Sequence, residues 1–169
     1  NAFAAYFGLA GLTGMLIFGA VSDRLARKGP HGPPRLAAFS LFFATLCILL
    51  VTWSSSFAQS KTLAIPSGLL GGGWSVGVMA SLQYLLPDRY RATATATFVA
   101  VSTLLGFLVG PWLAGEISGA FGNDAQSLRI GLSVTIPAGF IAALSMWYAS
   151  SRLGGDNEIL RRFESERPD

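Results

Sequence analysis

The chain has 169 residues, a net charge of +3 and only 12% charged residues, against about 25% in an ordinary soluble domain. Five stretches carry no Asp, Glu, Lys or Arg: residues 1–22, 36–60, 62–87, 92–115 and 130–151. That pattern excludes a soluble bundle, whose helices need charged outer faces, and basic residues confined to the gaps give no nucleic-acid footprint.

Each charge-free stretch meets the roughly 20 residues a helix needs to cross a hydrocarbon layer of ~30 Å. The expected fold class is therefore all-α, a polytopic membrane protein. Its five transmembrane helices are expected at about 1–22, 36–53, 62–86, 92–118 and 128–150, within a membrane region 1–151 followed by a tail over 152–169. The sequence starts at Asn1 inside a spanning segment, and the expectation is a piece of a longer protein. A single cysteine, Cys47, allows no disulfide within the chain, and one histidine, His31, makes no metal cluster. No cofactor is expected.

In the first span Ala4, Gly8, Gly11 and Gly14 lie close to one helical face, a spacing that lets backbones approach in lipid. Tyr6 and Thr13 are its polar side chains. The loop 19–35 carries Asp23, Arg24, Arg27, Lys28 and Arg35. Its Pro30, Pro33 and Pro34 are expected to stop any helix, so that the second span begins near Leu36 and ends near Trp53 at the headgroup level. A polar turn SSSFAQSK leads to the third span, where Pro66 and Gly71-Gly72-Gly73 predict a bend. That span also holds Ser67, Trp74, Ser75 and Gln83. The short link 87–91, with Arg89 and Arg91, makes the third and fourth spans antiparallel neighbours. In the fourth span Ser102, Gly106, Gly110, Ala114 and Ser118 recur every four residues, and Gly106-xxx-Gly110 predicts close packing against another helix. Pro111 is expected to loosen the helix. The fifth span has Pro137 near its middle and Trp147 and Tyr148 near its end. The tail mixes both charge signs, which fits a short surface helix or disorder.

Charge gives an orientation. The 19–35 loop, the 87–91 link and the tail hold four, two and four Lys or Arg, while the opposite side holds only Lys61 and Arg129. The positive-inside rule assigns the first group, and with it the C-terminus, to the cytoplasm.

The run Gly19-Ala20-Val21-Ser22-Asp23-Arg24-Leu25-Ala26-Arg27-Lys28 resembles the loop motif G-x-x-x-D-R-x-G-R-K of the major facilitator superfamily. Gly19, Asp23, Arg24, Arg27 and Lys28 match, and Ala26 stands where the family has glycine. In that family the motif follows the second span of each six-helix half, so five spans with the motif after the first resemble helices eight to twelve of a twelve-helix transporter. Arg89-Tyr90-Arg91-Ala92 entering a helix, followed by Gly106, Gly110, Pro111 and Gly115, resembles the eleventh helix. The branch most similar is spinster-like, with Thr103 where many members have Asn.

The resemblance implies a secondary transporter in the plasma (inner) membrane, not an enzyme. Its implied partners are the lipid bilayer, a small solute with a proton or another ion as coupling partner, and a missing N-terminal half. The loop charges would form a gating latch, and the first, third and fourth spans would line the cavity through Tyr6, Thr13, Ser67, Trp74, Gln83 and Thr103. No P-loop offers nucleotide drive. No acid lies at mid-depth, Glu116 being near one end of its span, so a coupling acid is expected in the missing half. The alternatives are a non-transporting scaffold or inactive truncated product, and an integral membrane enzyme acting on lipid headgroups, which would need clustered Asp, Glu or His.

Overall fold

The computed structural model describes residues 2–29, 31–54, 56–122 and 124–165, with side chains described from 5 to 152 apart from 30, 55, 84, 85 and 123. Among them every regular element is a helix: α1 (Ala2–Ala26), α2 (Gly32–Thr52), α3 (Phe57–Leu85), α4 (Asp88–Ala120), α5 (Ala125–Thr135) and α6 (Ala138–Ser165). Five segments are long and apolar enough to cross a bilayer: Ala5–Ala26, Gly32–Thr52, Phe57–Gln83, Asp88–Ala120 and Ala125–Arg152. The chain is an all-α polytopic membrane protein.

Local chemistry sets the helix ends, and it moves several of them from their expected places. Pro33 and Pro34 do not precede α2; they sit in its first turn, where the backbone N–H would have no partner anyway. Ser56 caps α3 by accepting from the Gln59 N–H at 3.2 Å, so the helix begins at Phe57 rather than near 62. α4 follows Pro87 directly, which places Arg89 and Arg91 on its first turn. Asp124 caps α5 by accepting from the Ser127 N–H at 2.7 Å. Gly122, at φ 116°, ends α4 in a backbone region that glycine enters without penalty.

Beyond the first turn of α2, three more prolines lie deeper in the spans, and they behave differently. α3 runs through Pro66 and its three glycines without interruption, and α4 runs through Pro111. Only Pro137 divides its segment. There α5 stops, and α6 restarts on tighter bonds from Gly139 N–H to Ile136 C=O and from Phe140 N–H to Pro137 C=O, both 2.9 Å. α6 continues to Ser165, so the backbone of the expected tail is helical that far, while 166–169 fall outside the described residues.

The packing is that of a protein solvated by lipid. Among the described residues the buried apolar side chains are small: Ala10, Ala37, Ala38, Ala44, Ala64, Ala114 and Ala143, with Pro33 and Pro34 at the start of α2. The large ones face outward, with Leu16 75% and Phe107 80% exposed. Water would drive the reverse sorting; in lipid only close backbone contact rewards association, and small residues permit it. α3 is the centre, running parallel to α1 and antiparallel to α2. A Cβ on Gly14 would lie 2.7 Å from the carbonyl carbon of Leu69, and one on Gly77 would lie 2.7 Å from the Cβ of Ala37. Ser40 adds a hydrogen bond from its hydroxyl to the Leu70 carbonyl. α6 packs antiparallel to α2, and α4 packs on α5 where Ala114 meets Gly131.

Candidate functional site

The charged loop grows out of the end of α1. Gly19, Asp23 and Arg24 lie on its last two turns, and Arg27 and Lys28 form the turn that follows. Gly19 faces α3, where an added Cβ would stand 3.8 Å from Val76 Cγ1. The Arg27 N–H bonds the Asp23 carbonyl at 3.3 Å and the Lys28 N–H bonds the Leu25 carbonyl at 3.0 Å, so the helix tightens as it ends. The four charged side chains are exposed, and among the described residues none of them makes an ion pair. One residue earlier, Ser22 Oγ is buried with no hydrogen-bond partner among the described residues. The loop therefore presents charge outward from a helix end that packs on α3 through Gly19.

Two devices position that end of the bundle. His31, at the N-terminus of α2, bonds through Nδ1 to the Ser150 carbonyl of α6 at 2.7 Å. On the α3–α4 link, Arg91 donates through Nε to the Leu86 carbonyl at 2.9 Å and pairs with Asp88 at 2.5 Å. The Asp88–Arg91 pair is exposed and contributes little stability, but the bond to the Leu86 carbonyl closes the turn. Arg89 folds over the ring of Tyr90, 4.4 Å from its centroid. At the opposite end Trp53 Nε1 donates to Ser133 Oγ at 2.8 Å, tying α2 to α5.

The candidate cavity residues stand on α1, α3 and α4, in different surroundings. Tyr6 lies under Lys61, whose Nζ is 4.3 Å from the ring centroid. Thr13 satisfies its hydroxyl on its own helix, at the Leu9 and Ala10 carbonyls. Ser67 is buried and Trp74 half-buried within α3, while Gln83 and Thr103 are exposed. Gly106 and Gly110 meet open space; of the small stripe on α4, Ala114 and Ser118 are the members that bury themselves, against α5. The contacts that sequence reasoning missed are Gly68-xxx-Gly72 on α3, which seats α1, and the ties His31–Ser150 and Trp53–Ser133. The Gly68-xxx-Gly72 spacing was a visible signal; the two polar ties had none.

A bundle of lipid-facing helices with a small-residue core and an exposed charged loop between two spans is the architecture of a segment of a polytopic membrane protein. The chain is 29% identical over 165 residues to an MFS-type efflux pump of Mycolicibacterium smegmatis, covering 88% of this chain and 35% of that protein. It is 31% identical over 119 residues to Protein spinster homolog 3 of Danio rerio and of Mus musculus, covering 69% of this chain and 24% and 23% of those proteins. The chain belongs to the major facilitator superfamily. It spans about a quarter to a third of the length of these relatives. No protein-family model and no solved structure matches it.

Proposed function

We propose that the chain is the C-terminal part of a secondary active transporter, helices eight to twelve of a twelve-helix fold, moving a small organic solute by alternating access. The observation that carries this reading is the end of α1, where Asp23, Arg24, Arg27 and Lys28 stand exposed on a helix end held close to α3. A carboxylate so placed accepts from the free N–H groups of a facing helix start and complements its dipole, and the cations pair with acids across the gap. Contacts made only while the gate is shut bias a two-state equilibrium. The facing helix is assigned to the N-terminal half. A proton or another ion would be coupled there, because Glu116, on the exposed face of α4, is the only acid within the α4 span beyond its first turn.

The Lys/Arg asymmetry supports a cytoplasmic loop and C-terminus, and the plasma membrane is the membrane in which to assay them. Export, the direction named for the mycobacterial relative, is the one to assay first. The test is Asp23→Asn in the full-length transporter reconstituted in vesicles, with Arg129→Gln as control. Transport should fall by about tenfold or more with unchanged expression, the effect of losing 1–3 kcal/mol of coupling, while the control keeps its rate. Equal rates in both variants would overturn the latch.

A further inference from the structure

Pro137 divides the last span between two sets of neighbours. Before it, α5 is seated on α4. An added Cβ at Gly131 would stand 2.5 Å from the Ala114 carbonyl oxygen, and Ser127 Oγ donates to the Phe121 carbonyl at 2.8 Å. After it, α6 is seated on α2. An added Cβ at Gly139 would stand 3.0 Å from Thr45 Cγ2, and the Phe140 ring lies 5.0 Å from that of Phe42. The neighbour therefore changes between Gly131 and Gly139.

The backbone between these two seats is the weak part of the span. Pro137 has no N–H, so the Ser133 carbonyl loses the donor that a continuous helix would give it. The Gly139 N–H bonds the Ile136 carbonyl and the Phe140 N–H bonds the Pro137 carbonyl, both at 2.9 Å. That three-residue spacing inside a helix marks hinges. The other entry to the α4–α5 pair is also a proline. Leu86 leaves the helical region at φ −106° and ψ 143°, and α4 starts directly after Pro87. The segment 88–135 is thus one packed pair, entered through Leu86-Pro87 and left through Ile136-Pro137. α1 on α3, α3 on α2 and α2 on α6 make the second unit. Between the units Trp53 Nε1 donates to Ser133 Oγ at 2.8 Å, and Arg129 reaches the Ser54 carbonyl only at 3.4 Å.

We propose that Pro137 is a hinge about which the α4–α5 pair swings as one piece against α1, α2, α3 and α6, with Leu86-Pro87 as second pivot and the Trp53–Ser133 bond as catch. Ser133 is one turn, about 6 Å, from Pro137. A swing of about 10° moves it by about 1 Å, which takes a 2.8 Å bond past hydrogen-bonding distance. The same swing carries the Asp124 end of α5 by about 3 Å. The hinge rests on packing within this chain and not on the transport reading; it holds whether or not Asp23 is a latch.

The test measures distances between paired spin labels by double electron–electron resonance. It uses the full-length protein in nanodiscs, with Cys47 and any other native cysteine replaced. Gln59→Cys with Gln126→Cys reports across the seam, at the end of the bundle where α3 and α5 begin. Thr93→Cys with Gln126→Cys reports within the α4–α5 pair, and Gln59→Cys with Ser151→Cys within the other unit; all four positions are exposed. Trp53→Phe, and equally Ser133→Ala, should shift the cross-seam distance by about 3 Å. Both within-unit distances should stay, which also shows that the variants keep their fold. Adding Pro137→Ala, which returns an N–H to the Ser133 carbonyl, should shrink the shift. A cross-seam distance unchanged by either variant would overturn the proposal. So would within-unit distances that move as far as the cross-seam one, or a shift that Pro137→Ala leaves at full size.

Discussion

Gly8→Ala and Gly14→Ala place the same methyl group on the same helix, and the structure gives them opposite outcomes. At Gly8 nothing stands within 4 Å of an added Cβ, so the substitution gains helix propensity of up to about 1 kcal/mol. At Gly14 the new atom lies 2.7 Å from the Leu69 carbonyl carbon and 2.8 Å from its Cα. Those are backbone atoms in mid-helix and cannot rotate away. The Leu69 carbonyl oxygen stands closer still, so relief requires α1 and α3 to part by about 1 Å, which forfeits a quarter to a half of each contact across the seam. If about 30 atom pairs worth ~0.15 kcal/mol each lose a third, the loss is about 1.5 kcal/mol, and residual overlap adds 1 kcal/mol or more. Gly14→Ala should therefore be about 2–4 kcal/mol less stable than Gly8→Ala, read as a lower midpoint of unfolding in mixed micelles of mild detergent and dodecyl sulfate. Equal midpoints would mean that α1 and α3 do not meet along Gly14 and Leu69.

Ser22→Ala removes a buried hydroxyl that has no partner among the described residues and should raise stability by about 1 kcal/mol in the same assay; a loss would show that Oγ is bonded. His31→Ala should cost about 0.5–1.5 kcal/mol by releasing α6 from the start of α2, seen as faster hydrogen exchange near Ser150. The Asp124 carboxyl is held below its usual range, first by the Ser127 hydroxyl and then by the Ser127 N–H. A lowered folded-state value means stabilisation that is complete above the ordinary carboxylate range and lost as pH falls through the lowered value. Asp124→Asn should lose that dependence, its midpoint staying flat on acidification while that of the unaltered protein declines. Glu116→Gln in the full-length transporter should leave transport intact, and its abolition would put the coupling acid in α4.

The spans were legible because lipid solvation writes itself into composition: charge-free runs of sufficient length survive whatever the helices pack against. Their ends were less so, because each depends on a cap. The Ser56-Phe57-Ala58-Gln59 spacing was present in the polar turn but was outweighed by the serines around it, and Pro33-Pro34 reads equally as a stop or as a first turn. Partner choice was not legible. Gly106-xxx-Gly110 and Gly68-xxx-Gly72 have the same spacing, yet one meets open space and the other seats α1. Spacing states that two backbones can approach, and the connectivity of the bundle decides which do. Pro66, Pro111 and Pro137 teach the same lesson, since only the last divides its helix. The loop motif was readable as a pattern of charges, but its exposure at the tip of α1 follows from how α1 ends on α3.

Five lipid-solvated spans put the loop after α1 and the end of α6 on one face of the membrane, opposite the turn before α3. Single cysteines at Lys28, Ser151 and Ser56, each in a Cys47→Ser background, can be probed with a membrane-impermeant maleimide in right-side-out and inverted vesicles. Lys28→Cys and Ser151→Cys should be labelled only in inverted vesicles and Ser56→Cys only in right-side-out ones. Labelling of all three from one side, or recovery of the protein in the aqueous fraction without detergent, would contradict it.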